Sequence, residues 1–312
     1  NHRIFQTTVF EYCWIGRSSM TYYQFIHAVE EKIKKEVKEE RKISVHTNIK
    51  NNGVKRTGIM ISENGINISP TIYLEEYFQQ FKRGYPLELI VKDILSLYEK
   101  IRFQNSWKEG EKVKSYFVKG RIIYRLVNRE RNRKLLEDVP YKEYLDLAIV
   151  YYVLLEMDEY GMASMLVRRE HLKMWKVSEE DIYYRACKNT QKLLPYDFST
   201  MRSVIMELLE IGREIEEQKG KMYILSNVMR SYGACAMMYP DLLRKIGEEL
   251  EENYYILPSS VHETIIVAES EAPGKEELCE MIEEINETQV EEEEVLSNRA
   301  YYYECDTGKL LF

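Results

Sequence analysis

The clearest pattern in the chain runs from Tyr141 to Pro195. Leu145 to Leu155 is an almost unbroken apolar, β-branched and aromatic run, which predicts a strand covered on both faces at the centre of a sheet. The polar segment Glu156 to Gly161 predicts a turn, and Met162 to Val167 alternates enough to return as a neighbouring strand. Ser178, with Asp181 three residues on, opens a capped helix on which Ile182, Tyr183, Ala186, Cys187 and Leu193 recur at three- and four-residue steps. Trp175 stands just ahead of that cap and reads as an aromatic staple in the corner between sheet and helix rather than as a ligand-stacking ring.

The flanking stretches repeat the alternation of short strands and amphipathic helices. Thr21 and Gln24 form a capping box before Phe25, Val29, Ile33 and Val37, a single helix face ending near Arg41. Ile43 to Ile49, Thr57 to Ser62 and Ile66 to Leu74 read as strands joined by Asn-Gly turns, which accept positive φ cheaply. Helices follow over Leu74 to Lys82 and from Pro86 to about Ile101. Arg121 to Val127 is strand-like, and Asn128 is placed to cap a helix to Asp138 before Pro140 forces extended backbone.

Beyond the central stretch, Phe198 to Gly212 reads as a helix capped by Ser199, and MYILSN with YGACAMMYP as a strand and turn. A helix over Asp241 to Glu251, strands at Tyr254 to Leu257 and after LPSSVHET, a helix over Glu276 to Thr288, and a final hairpin around Asp306 to Gly308 complete the reading. The expected fold is therefore α+β: mixed, mainly antiparallel short-stranded sheets packed with amphipathic helices. The expected divisions are a poorly ordered extension over 1–19, a helix-and-hairpin unit over 20–110, a central sheet-and-helix unit over 111–212, and an acidic C-terminal unit over 213–312. Residues 106–111 read as a linker and 213–220 as a charged hinge.

Composition narrows the function classes. The chain holds five cysteines, Cys13, Cys187, Cys235, Cys279 and Cys305, with no paired spacing, so reduced thiols are expected and neither a disulfide framework nor a zinc knuckle. No run of 18 apolar residues occurs, and the first residues carry no secretory pattern, so the expected setting is the cytoplasm without a membrane partner. Charge is uneven: residues 241–312 carry 20 acidic and 5 basic side chains against 32 and 39 before them, a division of −15 and +7. That polarity makes another protein, a basic one included, the expected partner of the acidic end.

Candidate chemistry is sparse. LPSSVHET places Ser259, Ser260, His262 and Glu263 after a rigid proline turn, the most function-like phrase of the chain. A hydrolase would draw on Cys235 or Ser260 with His262, since a thiol or hydroxyl needs an adjacent base. Capping serines, a hydrogen-bonded structural histidine and a small apolar Cys235 are the plainer readings. The basic cluster Arg125, Arg129, Arg131, Arg133 and Lys134 is interleaved with Glu130, Glu137 and Asp138, which disfavours nucleic acid. Glu291 to Glu294 diverge in direction and lack a turning glycine, so no metal is expected, and no phosphate loop or other cofactor motif occurs. The 25 tyrosines suit contact surfaces. A binding or interaction module is the expected function, with its site bordering Leu257 to Thr264.

The phrases NNGVKRTGIMI, NISPTIYLEEYFQQF, YLDLAIVYYVLL, HLKMWKVSEEDIYYRA, NTQKLLP, MYILSN, YGACAMMYP, ILPSSVHETI and NETQVEEEEVLSNRAYYYE give the chain from Met20 onward a resemblance to an uncharacterised gut Firmicutes group, domain-of-unknown-function family 5688. The order of elements from Leu145 to Ala268 is also similar to that of another uncharacterised bacterial group, in which a helix with an A…NT ending follows a sheet. The resemblance implies no activity, cofactor or catalytic residue. Asn1 to Ser19 falls outside it.

Overall fold

The computed structural model describes residues 20–37, 40–64, 69–102, 120–158, 161–208 and 222–312. The extension over 1–19, the linker over 106–111, the hinge over 213–220 and the end of the helix expected to reach Gly212 lie outside those residues. The fold is α+β, and every described strand pairing is antiparallel. The chain divides into two compact units, residues 1–50 with 55–111, and residues 112–312 with the loop Asn51–Val54.

In the first unit, α1 (Tyr22–Glu36) begins at the Thr21 capping box, where the Gln24 amide donates to the Thr21 hydroxyl and the Thr21 amide donates to Gln24 Oε1. Its buried Phe25, Val29 and Ile33 meet Ile90, Val91, Ile94 and Tyr98 of α3 (Leu87–Ile101), which starts at Pro86. The sheet beside them runs β1 (Arg41–Ile49), β2 (Lys55–Glu63), β3 (Thr71–Tyr73), with Asn52 and Gly53 at positive φ in the first turn. Of the expected third strand, Thr71–Tyr73 is extended and paired, Ser69 and Pro70 precede it outside the strand, residues 65–68 lie outside the described residues, and Leu74 leads into α2 (Glu75–Lys82).

The second unit holds two sheets. In the first, β6 (Leu147–Asp158) pairs with β4 (Ile122–Asn128), β5 (Tyr141–Tyr144) and β7 (Gly161–Leu166), so the long apolar run is central, as expected. Pro140 leads into β5, a strand the pattern did not separate from its neighbour; Leu145 at positive φ makes the turn between β5 and β6. After β4, Asn128 Oδ1 accepts the Arg131 amide in a turn, and α4 starts only at Arg133 (Arg133–Asp138) instead of directly after Asn128.

A short helix unseen in the pattern, α5 (Arg169–Trp175), buries Trp175 just ahead of the Ser178 cap. Helix α6 (Glu179–Leu193) has the full Ser178–Asp181 capping box. The second sheet runs β13 (Lys309–Leu311), β12 (Tyr301–Glu304), β10 (Tyr254–Leu257), β11 (Thr264–Ala268), β9 (Met222–Asn227), β8 (Tyr196–Thr200). Phe198 to Thr200 therefore belong to a strand, held by the β9 register, and α7 (Met201–Leu208) is capped by Thr200, whose hydroxyl accepts the Ser203 amide, rather than by Ser199. Helices α8 (Leu242–Leu250) and α9 (Lys275–Thr288) complete the unit. The GACAMM segment is a 3₁₀ turn over Gly233–Met238, not extended: its buried small residues let backbone pack closely against β9 and β4.

Candidate functional site

The phrase after β10 is stitched on both sides by backbone. Ser297 and Leu296 amides donate to the carbonyls of Pro258 and Ser259, and the Val261 amide donates to Glu294. On the other side the Gly233 and Ala234 amides donate to His262 and Val261, and the Ser226 hydroxyl donates to the same His262 carbonyl at 2.8 Å. This close approach requires glycine at 233, where a Cβ would stand 2.2 Å from Ser226 Oγ and 2.5 Å from the Asn227 nitrogen.

Each residue singled out by the sequence has a defined place in this frame. Ser259 and Ser260 are each only 6% exposed, and the Ser260 hydroxyl accepts the His262 backbone amide at 3.0 Å instead of facing the imidazole. His262 precedes β11 and is not part of a strand, so strict alternation does not govern it and Glu263. Its Nδ1 accepts the Tyr232 amide at 3.2 Å, which leaves the proton on Nε2, 3.2 Å from Glu294 Oε1. Both ring nitrogens are thereby engaged.

Cys235 lies inside the 3₁₀ turn, 1% exposed, with its thiol donating to the Tyr232 carbonyl at 3.1 Å. Burial pushes the thiol up to about 12 against the opposing charge of Arg125, so it stays protonated at neutral pH. Burial also raises the Glu263 carboxyl above its ordinary range; His262 and Arg230 pull it down, and Glu294 pushes it further up.

The structure adds residues that sequence reasoning did not assemble. Arg125 is 6% exposed on β4, beneath the Tyr232 ring at 3.8 Å and beside that of Tyr152 at 4.3 Å. Tyr232 itself sits at φ 52, in the left-handed region that a bulky side chain rarely takes, and its ring tilts against His262 at 5.3 Å. Asn227 holds the loop between them, accepting the Met229 and Ser231 amides and donating to the Ser231 carbonyl. The basic cluster does not form one patch: Arg125 points into the unit, while Arg129 and Arg133 pair with Glu143 and Glu130. One signal of this arrangement was in the chain, a lone arginine inside the otherwise apolar IIYRLV.

Among the described residues no cluster of three or more histidine, cysteine or carboxylate groups could hold a metal ion, and no helix is long and apolar enough to cross a membrane. The profile of a family of unknown function, DUF5688, matches residues 22–305. No curated protein and no solved structure matches the chain.

Proposed function

The chain belongs to that family of unknown function, and from this premise we propose that it is a cytoplasmic binding module of a gut bacterium, not a hydrolase, whose binding surface borders Leu257 to Thr264. The observation that carries the reading is how the reactive groups are spent. The Cys235 thiol is buried and protonated, the Ser260 hydroxyl holds a backbone amide, and His262 has a partner at each ring nitrogen. A nucleophile needs a base within reach and room for an acyl group, and these side chains are instead spent on shaping a loop. Cys187, Cys235, Cys279 and Cys305 are free thiols, which suits a reducing compartment.

The partner we assign is a basic segment of another protein. Glu294 joins His262 to the acidic turn before it, where Glu291 and Glu292 are exposed, and the last 72 residues carry a charge of −15 against +7 before them. Two measurements test the reading. Thiol- and serine-reactive probes should label Cys235 and Ser260 only after unfolding; labelling of the native protein that disappears in His262→Ala would make it a hydrolase. A fluorescent oligolysine peptide should bind with salt-dependent affinity and lose most of it when Glu291 and Glu292 become Gln; equal binding by that variant would remove the acidic turn as the contact.

A further inference from the structure

Residue 125 lies on a strand whose neighbours Ile123 and Val127 enter apolar clusters, where an aliphatic side chain would be the ordinary choice. Arginine there brings a permanent charge and five N–H donors into a nearly dry setting. Of those donors, one Nη reaches the Ser164 hydroxyl at 2.9 Å, and Nε is buried with no hydrogen-bond partner. Two tyrosine rings supply cation–π contact. No carboxylate of the described residues pairs with the guanidinium. An isolated buried charge is costly unless an opposite charge reaches it.

The neighbouring acids do not provide that charge. Cys235 and Tyr152 both feel the arginine, yet burial outweighs it and keeps thiol and phenol protonated. The groups that act on Glu263 are His262, Glu294 and Arg230, not Arg125. We propose that Arg125 anchors a site for an oxyanion, a carboxylate or phosphate carried by a small molecule, which enters beside Nε when the Tyr232 loop shifts. Nε–H lies beside the Nη that holds Ser164, and the second hydrogen of that nitrogen with Nε–H gives two parallel donors, the geometry that matches two oxygens of one such group.

The loop that lays Tyr232 on the guanidinium carries backbone strain. Arg230 and Tyr232 both have positive φ, and the strained Tyr232 is the residue whose ring covers the guanidinium. Relaxing Tyr232 toward ordinary backbone would lift its ring from the face of the guanidinium and open a way to the unpartnered donor. Ser164 and Tyr152 stay on the sheet as fixed walls. This anion site goes beyond the basic-partner reading and stands or falls separately from it.

The test is thermal unfolding of the full chain in sodium chloride, sodium phosphate and sodium acetate at matched ionic strength, for wild type and Arg125→Met. Phosphate or acetate should raise the wild-type melting temperature by about 3 °C over chloride at a roughly tenfold excess over the dissociation constant. The shift should be absent in Arg125→Met, which keeps an unbranched stem. A phosphate-only shift identifies a tetrahedral ligand group and an acetate-only shift a planar one. Equal shifts in the two proteins, or none in either, overturn the proposal. Should Arg125→Met fail to fold, hydrogen exchange of the wild type decides: anion-dependent protection over 227–234 supports the site, and exchange indifferent to both anions overturns it.

Discussion

The Thr190 hydroxyl on α6 accepts the Tyr124 amide of β4 at 3.0 Å while donating to the Ala186 carbonyl at 2.6 Å. One turn of helix thus serves as a false strand: beside it the Asn189 side-chain amide donates to the Ile122 carbonyl at 3.0 Å. β4 is the edge of its sheet, and an edge left open exposes backbone donors and acceptors that invite pairing with another chain. Burying that edge without partners would cost more than leaving it wet.

Thr190→Val keeps the shape of the side chain and removes the acceptor, so the Tyr124 amide stays buried without a partner. The expected loss is about 1–3 kcal/mol. Urea unfolding of the variant should show a lower midpoint at an unchanged slope. A midpoint equal to that of the wild type would mean that water replaces the hydroxyl at this edge.

The same contact shows what the amino-acid order could and could not reveal. Periodicity and caps expose local structure, so the Thr21 and Ser178 boxes, the central run in β6 and the Asn-Gly turn were legible. The A…NT ending of α6 was visible as a phrase, but its purpose depends on a strand more than 60 residues earlier in the chain. The small residues of GACAMM announced close packing, yet whether the backbone there is extended or 3₁₀ is settled by β9 and β4 beside it. Ser260 and His262 read as a pair because they are two apart, whereas the structure joins the hydroxyl to the histidine's backbone and the ring to Tyr232 and Glu294. Arg125 was read with its charged neighbours in sequence, and strand direction separates it from them.

Gly233→Ala addresses space, not backbone freedom. The added methyl meets Ser226 Oγ at 2.2 Å, the Asn227 nitrogen at 2.5 Å and the His262 carbonyl oxygen at 2.7 Å. Two of the three obstacles are backbone, so the loop and the LPSSVHET phrase must move apart. Overpacking of this kind costs about 1–3 kcal/mol or more. Adding Ser226→Ala removes only one obstacle, and calorimetry should show the double variant still well below the wild type. Full recovery would place the whole clash on the serine.

Tyr301→Phe tests the link between the second unit's two sheets. The Tyr301 hydroxyl donates to Asp146 Oδ1 at 2.5 Å, and Ser297 donates to Oδ2 of the same carboxylate at 2.7 Å. A bond to a charged acceptor contributes about 1.5–3 kcal/mol. The variant should lose that much in denaturant titration, and Tyr301→Phe combined with Ser297→Ala should lose more than the two single changes together, since the last partner of a carboxylate is the costliest to remove. Simple additivity would show that solvent reaches Asp146.

Glu263 supplies a pH dependence whose sign follows from its surroundings. Burial is the largest influence and raises the carboxyl above 4.5; His262 and Arg230 lower it, and Glu294 raises it. With the folded-state value above the unfolded one, the folded form binds the proton more tightly. The contribution to stability is therefore complete below the unfolded value and is lost as pH rises through the folded one. Glu263→Gln imitates the protonated carboxyl at every pH. Its urea midpoint should match the wild type near pH 4 and exceed it at pH 7, provided both are compared at the same salt. A variant that is less stable at pH 7 than at pH 4, relative to wild type, would show that the pull of His262 and Arg230 outweighs burial, and that Glu263 is held in this loop as an anion.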